Sequence, residues 1–281
     1  MIRISSSSLW VSGGPEGLLD DLLRGTQRPA PAPTPPRPLG VAVGPWRRMS
    51  RLTRMVVATA APLLEGRDDL DRLPVIWGNT MGELVPVGRF LDRLYREGPA
   101  TCSPMAFQNS VTNAPVGHLS IGMGLRGASE TVSAGGASGL AAVMRAVDML
   151  VLGQASSVLV VAGDDLNEHT QRAWTQVPHP PVLGEAMAAV VLSMHGEGPG
   201  LELEIGLAPL PTAPLLARAT PMPDEPPLQP IPGAQAPEAC LGLIPSSGLA
   251  CIAALAQAGR AGSVVDQDGP MILTARVQEP V

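Results

Sequence analysis

Apolar and polar positions in this chain repeat with helical and strand periods that mark its elements one by one. From Arg47 to Ala61 the sequence RRMSRLTRMVVATAA puts Met49, Leu52, Met55, Val56 and Ala60 on one side, with Pro62 just past the end. That spacing predicts an amphipathic helix. Leu73 to Glu83, LPVIWGNTMGE, reads as a buried strand closing in a turn. Leu84 to Glu97 is the next helix, with Pro86 tolerated in its first turn. Thr131 and Val132 end a β-branched strand, Gly135 and Gly136 permit a turn with unusual backbone angles, and Ala137 to Leu152 resumes a helical stripe through Val143, Val147, Leu150 and Val151. Ser156 to Asp164 is a continuous apolar run, as expected of a strand covered on both faces. Strand, helix and strand in this order imply a right-handed crossover between parallel strands. Further strands are predicted at Met1–Ile4, Val182–Met194, Leu201–Gly206 and Met271–Val277, and a further helix at Pro15–Leu23.

Two proline-rich segments interrupt this pattern. Gln27 to Pro38 must be extended or disordered, because each proline fixes φ and restrains the residue before it. Ala208 to Ala239 holds ten prolines between Pro209 and Pro237, and no run in it has the period or length of a packed element. Composition adds little: 281 residues, 45% apolar, formal net charge −6, and nineteen basic residues that are all arginine. The N-terminus lacks a basic region followed by an apolar one, and no apolar run reaches the ~20 residues that span a bilayer, so a cytoplasmic protein without membrane partners is expected. Cys102, Cys240 and Cys251 are odd in number and have no C-x-x-C spacing, which argues against a disulfide framework and a zinc site. No metal, cofactor or nucleic acid is expected.

The chemistry concentrates between Asn109 and Leu140, NSVTNAPVGHLSIGMGLRGASETVSAGGASGL. With Ser103 and Pro104 before it, this stretch resembles the active-site strand-turn-helix of the β-ketoacyl synthases. Laid without gaps on the family pattern, it matches at Asn113, Gly117, His118, Leu119, Ser120, Ile121, Gly124, Leu125, Arg126, Gly127, Ser129, Ser138 and Gly139. The family's nucleophilic cysteine falls on Gly136. The segments that carry the family's two catalytic histidines, H-G-T-G-T and K-x-x-x-G-H-x-x-G-A-A-G, are absent; if Cys240–Gly259 is a remnant of the second, its histidine position is Gly242.

The resemblance implies an α/β, thiolase-like layered fold with a mixed, mostly parallel sheet and a strongly reduced second half. Its expected division is a ketosynthase-like half over residues 1–206, a proline-rich linker over 207–239, and a remnant over 240–281 packing on the same core. It further implies a catalytically silent subunit of the chain-length-factor type, as in type II polyketide or aryl polyene pathways. Such a subunit pairs with an active ketosynthase in a heterodimer or heterotetramer and meets an acyl carrier protein. No residue is expected to be catalytic, since glycine cannot carry a thioester. Met105, Phe107, Val111, Asn113 and Thr131 are the tunnel or interface candidates, with core packing as the competing role of the apolar three. Arg47, Arg51 and Arg54, at i, i+4 and i+7, are the candidate contacts for an acidic carrier protein, against the plainer role of a solvated helix face. Two other functions stay open: a malonyl-thioester decarboxylase, which the missing histidines disfavour, and a purely structural ketosynthase scaffold.

Three features imitate other chemistry. Gly122, Gly124 and Gly127 spell G-x-G-x-x-G but run into a strand where a dinucleotide fingerprint opens a helix. Asp164 and Asp165 follow a strand end without a matching carboxylate cluster, so a turn or hydrogen-bonding role is expected. Ser138 lacks the last glycine of a hydrolase elbow, because Leu140 stands there, and His118 matches a non-catalytic histidine of the family.

Overall fold

The computed structural model describes residues 1–28, 31–174, 183–206, 216–220, 248–268 and 271–280. In chain order its elements are β1 (Ile2–Val11), α1 (Leu18–Arg24), α2 (Val43–Arg48), α3 (Arg51–Ala60), β2 (Val75–Gly78), α4 (Leu84–Glu97), α5 (Pro104–Gln108), α6 (Ala114–Met123), β3 (Ser129–Val132), α7 (Ser138–Val151), β4 (Ser157–Asp164), α8 (Glu168–Trp174), β5 (Ala186–Ser193), β6 (Gly200–Gly206), β7 (Leu216–Thr220), α9 (Gly248–Gln257), β8 (Gly262–Asp268) and β9 (Met271–Val277). The strands lie in one mixed sheet in the order β3-β2-β4-β5-β1-β6-β9-β8-β7. β2 runs parallel to both β3 and β4, and β7 runs parallel to β8; the remaining neighbours are antiparallel.

Every residue of β4 and β5 is buried, which explains why these strands read as unbroken apolar runs. Their side chains alternate between two cores: Val158, Val160 and Ala162 point to one, Leu159 and Val161 to the other. Leucines of α1, α7 and α9 close the first face, and α3 with α6 closes the second. The result is helices on both sides of a sheet. At the β3 end of the sheet, Arg145 of α7 donates two hydrogen bonds to Glu130, at 2.7 and 2.8 Å, tying the edge strand to the helix behind it.

Three expectations are corrected and one strand is added. The first strand runs on to Val11, because Ser6, Ser7 and Ser8 pair with β5 after a register shift between Ile4 and Ser6. The predicted helix over 47–61 is two helices: Met49 and Ser50 are extended, and the Ser50 hydroxyl accepts the Thr53 N–H at 2.9 Å, so α3 starts afresh there. Within the proline-rich segment 207–239, Leu216–Thr220 forms a strand paired with β8; the rest of that segment lies outside the described residues, as do Val182, Cys240 and Gly242. The strand β8 itself has no counterpart among the sequence expectations, because SVVDQD mixes polar and apolar positions and buries Val264, Val265 and Asp266 together.

Candidate functional site

β3 passes into α7 through a short turn at residues 133–137. Gly135 has φ +50°, and Gly136, the position of the family's cysteine, is buried. Only Gly135 of the pair therefore uses the left-handed region that glycine favours. Ser138, fully buried, accepts the Ala134 N–H at 2.9 Å and donates to the Gly135 carbonyl at 2.7 Å; Thr80 donates to the same carbonyl at 2.7 Å. A hydroxyl with these partners and no base beside it is a structural clamp for the turn.

Around the end of β2 a polar layer holds the loops in place. Asp164 accepts hydrogen bonds from Asn79 Nδ2 at 2.9 Å and from the N–H groups of Thr80 and Met81 at 3.3 and 3.2 Å, which is the turn-fixing role its position suggested. Glu185, whose side chain is wholly buried, pairs with Arg51 and accepts the Leu166 N–H at 3.0 Å. Arg51 also donates to the Ala32 carbonyl at 2.6 Å, joining the N-terminal proline-rich segment to the loops after β4 and before β5. Glu83 accepts from the Ser50 and Thr53 hydroxyls at 2.7 and 2.6 Å. Burial pushes its pKa up to about 7 against the pull of those two donors, and nearby Asp165 adds to the rise. Asp165 is pushed up to about 6, again mainly by burial, while its bond from Asn167 Nδ2 pulls the other way.

The segment carrying the tunnel candidates lies on the surface. Met105 and Phe107, on α5, are 52% and 56% exposed, and the Phe107 ring meets Phe90 of α4 at 5.6 Å between centroids. The competing core role for these two is therefore overturned, because α5 buries no residue. Val111 is half-buried, and Asn113 is exposed at the start of α6 with no side-chain cap. Trp77 Nε1 donates to the Thr112 carbonyl at 3.2 Å and so holds this loop against β2. Thr131 sits on β3, the outermost strand at its end of the sheet, opposite Trp77. His118 donates from Nε2 to Asn109 Oδ1 at 2.9 Å, and burial, then Arg48, hold its pKa low, so it is a neutral structural imidazole.

The three arginines do not form one solvated face. Arg47 precedes the break in the helix and is exposed, Arg51 is bound to Glu185, and Arg54 donates to the carbonyls of Trp46 and Arg47 at 3.1 and 3.0 Å and lies 5.7 Å from the centre of the Trp46 ring. They do line a common cavity of about 430 Å³ with Arg48, Arg89, Glu83 and Asp165. Sequence spacing missed Arg48, Arg89, Glu83 and Glu185 as site residues, since they meet across separations with no local period. Among the described residues no group of histidines, cysteines and carboxylates can hold a metal ion, and no helix is long and apolar enough to cross a membrane.

Comparison with known proteins agrees with this geometry. The chain spans the whole of several solved relatives: a ketosynthase in complex with its chain length factor from Xenorhabdus doucetiae (16% identity, TM-score 0.65, 98% of each chain) and the ishigamide ketosynthase/chain length factor (18%, 0.69, 99% of each). A type II polyketide synthase acyl-carrier protein in complex with its ketosynthase bound to the hexaketide gives 14% identity and a TM-score of 0.73, over 100% of this chain and 99% of that one. At these identities the likeness is one of fold, the thiolase-like layered architecture. No curated protein matches by sequence. Residues 34–214, well over half of the chain and the elbow with them, match the family described as β-ketoacyl synthase, N-terminal domain, and the chain belongs to that family.

Proposed function

We propose that this chain is a catalytically silent ketosynthase-like subunit of the chain-length-factor type, which pairs with an active ketosynthase and shapes the tunnel that holds the growing acyl chain. The observation that carries this reading is the elbow at Gly136. A turn clamped by Ser138 and a following helix stand where the family motif aligns, while the position aligned with the acyl-carrying cysteine has no side chain. Thiolate chemistry needs the thiolate, and no buried hydroxyl here stands in for it. α9, β8 and β9 add to the same sheet and core, in keeping with a reduced second half over 240–281. Relatives of this fold are solved as ketosynthase and chain length factor together, and one as a ketosynthase with its acyl-carrier protein, which supports the same partners here. Arg47, exposed on the wall of the cavity, is the carrier-contact candidate whose side chain makes no hydrogen bond or ion pair with a described residue.

Tunnel shaping is tested at Phe107. In a pair reconstituted with its ketosynthase, Phe107→Ala is expected to lengthen the product and Phe107→Trp to shorten it. Because Phe107 is more than half exposed in this chain, Phe107→Ala should cost the subunit itself less than about 1 kcal/mol of stability, well below a core truncation. An intact complex whose product length ignores both changes would leave this chain a structural scaffold.

A further inference from the structure

The cavity between α3 and α4 gathers cations beyond Arg47, the carrier-contact candidate. Five guanidinium groups line it, from Arg47, Arg48, Arg51, Arg54 and Arg89, against two carboxyls, Glu83 and Asp165. The whole chain carries a net charge of −6 with nineteen arginines, so more than a quarter of its cations are gathered at one concavity. Arg51 is committed to Glu185 and Arg54 to two carbonyls. Arg47, Arg48 and Arg89 are exposed and enter no ion pair with a described residue. By contrast, Arg93 and Arg96, farther along α4, are each paired with a carboxylate one turn away.

We propose that this cavity is a binding site for a small phosphate-bearing molecule, held by Arg47, Arg48 and Arg89. The guanidinium fork matches the geometry of phosphate oxygens, and weakly hydrated guanidinium groups give up little on binding. The first turn of the fourteen-residue α4, through Leu84, Val85 and Pro86, lines the same space and adds the positive end of a helix. At about 430 Å³ the cavity lies within the size range of small-ligand pockets. The two carboxyls on its wall do not cancel this charge: they face five guanidinium groups, and Glu83 is turned toward Ser50 and Thr53. The site belongs to the chain itself, and its test does not depend on a ketosynthase being present.

Titration calorimetry of the full chain with inorganic pyrophosphate, at constant ionic strength, reads this directly. Saturable binding at one site is expected, with acetate at the same ionic strength at least about tenfold weaker because it lacks the phosphate oxygens. The double change Arg48→Gln with Arg89→Gln should weaken pyrophosphate binding by about tenfold or more while leaving the melting temperature of the free protein unchanged. The charge-matched control, Arg93→Gln with Arg96→Gln, should leave binding as it is. Absence of saturable binding in the natural chain, or equal loss in the two double variants, overturns the site.

Discussion

Glu83 lies under α3 with 3% of its surface exposed, two hydroxyl donors on one carboxyl oxygen and a pKa of about 7. Its unfolded value is 4.5, so the folded chain holds the proton more tightly than the unfolded one between those values. Stability is therefore full below about pH 4.5 and falls as pH rises toward 7, by an amount on the order of 3 kcal/mol, and Asp165 acts in the same direction up to about pH 6. Glu83→Gln, which keeps the acceptor and loses the charge, should flatten the fall between pH 5 and 7.5 in denaturant titrations and make the variant the more stable protein at pH 8. A variant as steep as the natural chain would show that Glu83 ionises freely. Of these residues, Gly136 was legible in the sequence, because the motif around it aligns without a gap. Glu83 and the Arg51–Glu185 pair were not, since partners 134 positions apart leave no periodic trace.

The elements divide the same way. α4, α7, β4 and β5 announce themselves through stripe or unbroken apolar run, and the structure places them within a few residues of the expected bounds. β1 was cut short by its serines and β7 hidden among prolines; both are recognised only through the strands they pair with. The break between α2 and α3 depends on one capping hydroxyl, which an apolar stripe running through it conceals. β3 is where the proposed partnership can be tested. Its Ala128 and Val132 carbonyls accept from Val75 and Asn79, so by the alternation of a parallel ladder the N–H of Thr131 points to the open edge. Thr131→Pro removes that donor and spares the bonds to β2. We expect the variant to fold, since proline is tolerated at an edge, and to lose most of its recovery with the ketosynthase in a pull-down. Undiminished recovery would place the contact elsewhere.

For the whole molecule, the layered sheet with helices on both faces, the side-chain-free Gly136 and the exposed Met105 and Phe107 combine into the proposed account: a ketosynthase fold that contributes shape and lets a partner do the chemistry. The sequence carried the fold through its central motif, but it placed the apolar residues of α5 no better than as tunnel, interface or core. Their exposure narrowed that choice. The account meets its most direct test in native mass spectrometry of the chain co-expressed with its ketosynthase and then incubated with acyl-loaded carrier protein. It predicts an assembly containing both subunits in equal number, with the acyl mass on the ketosynthase and none on this chain. An acyl adduct on this chain, at Ser138, Cys102 or anywhere else, or two subunits that never assemble, would contradict it.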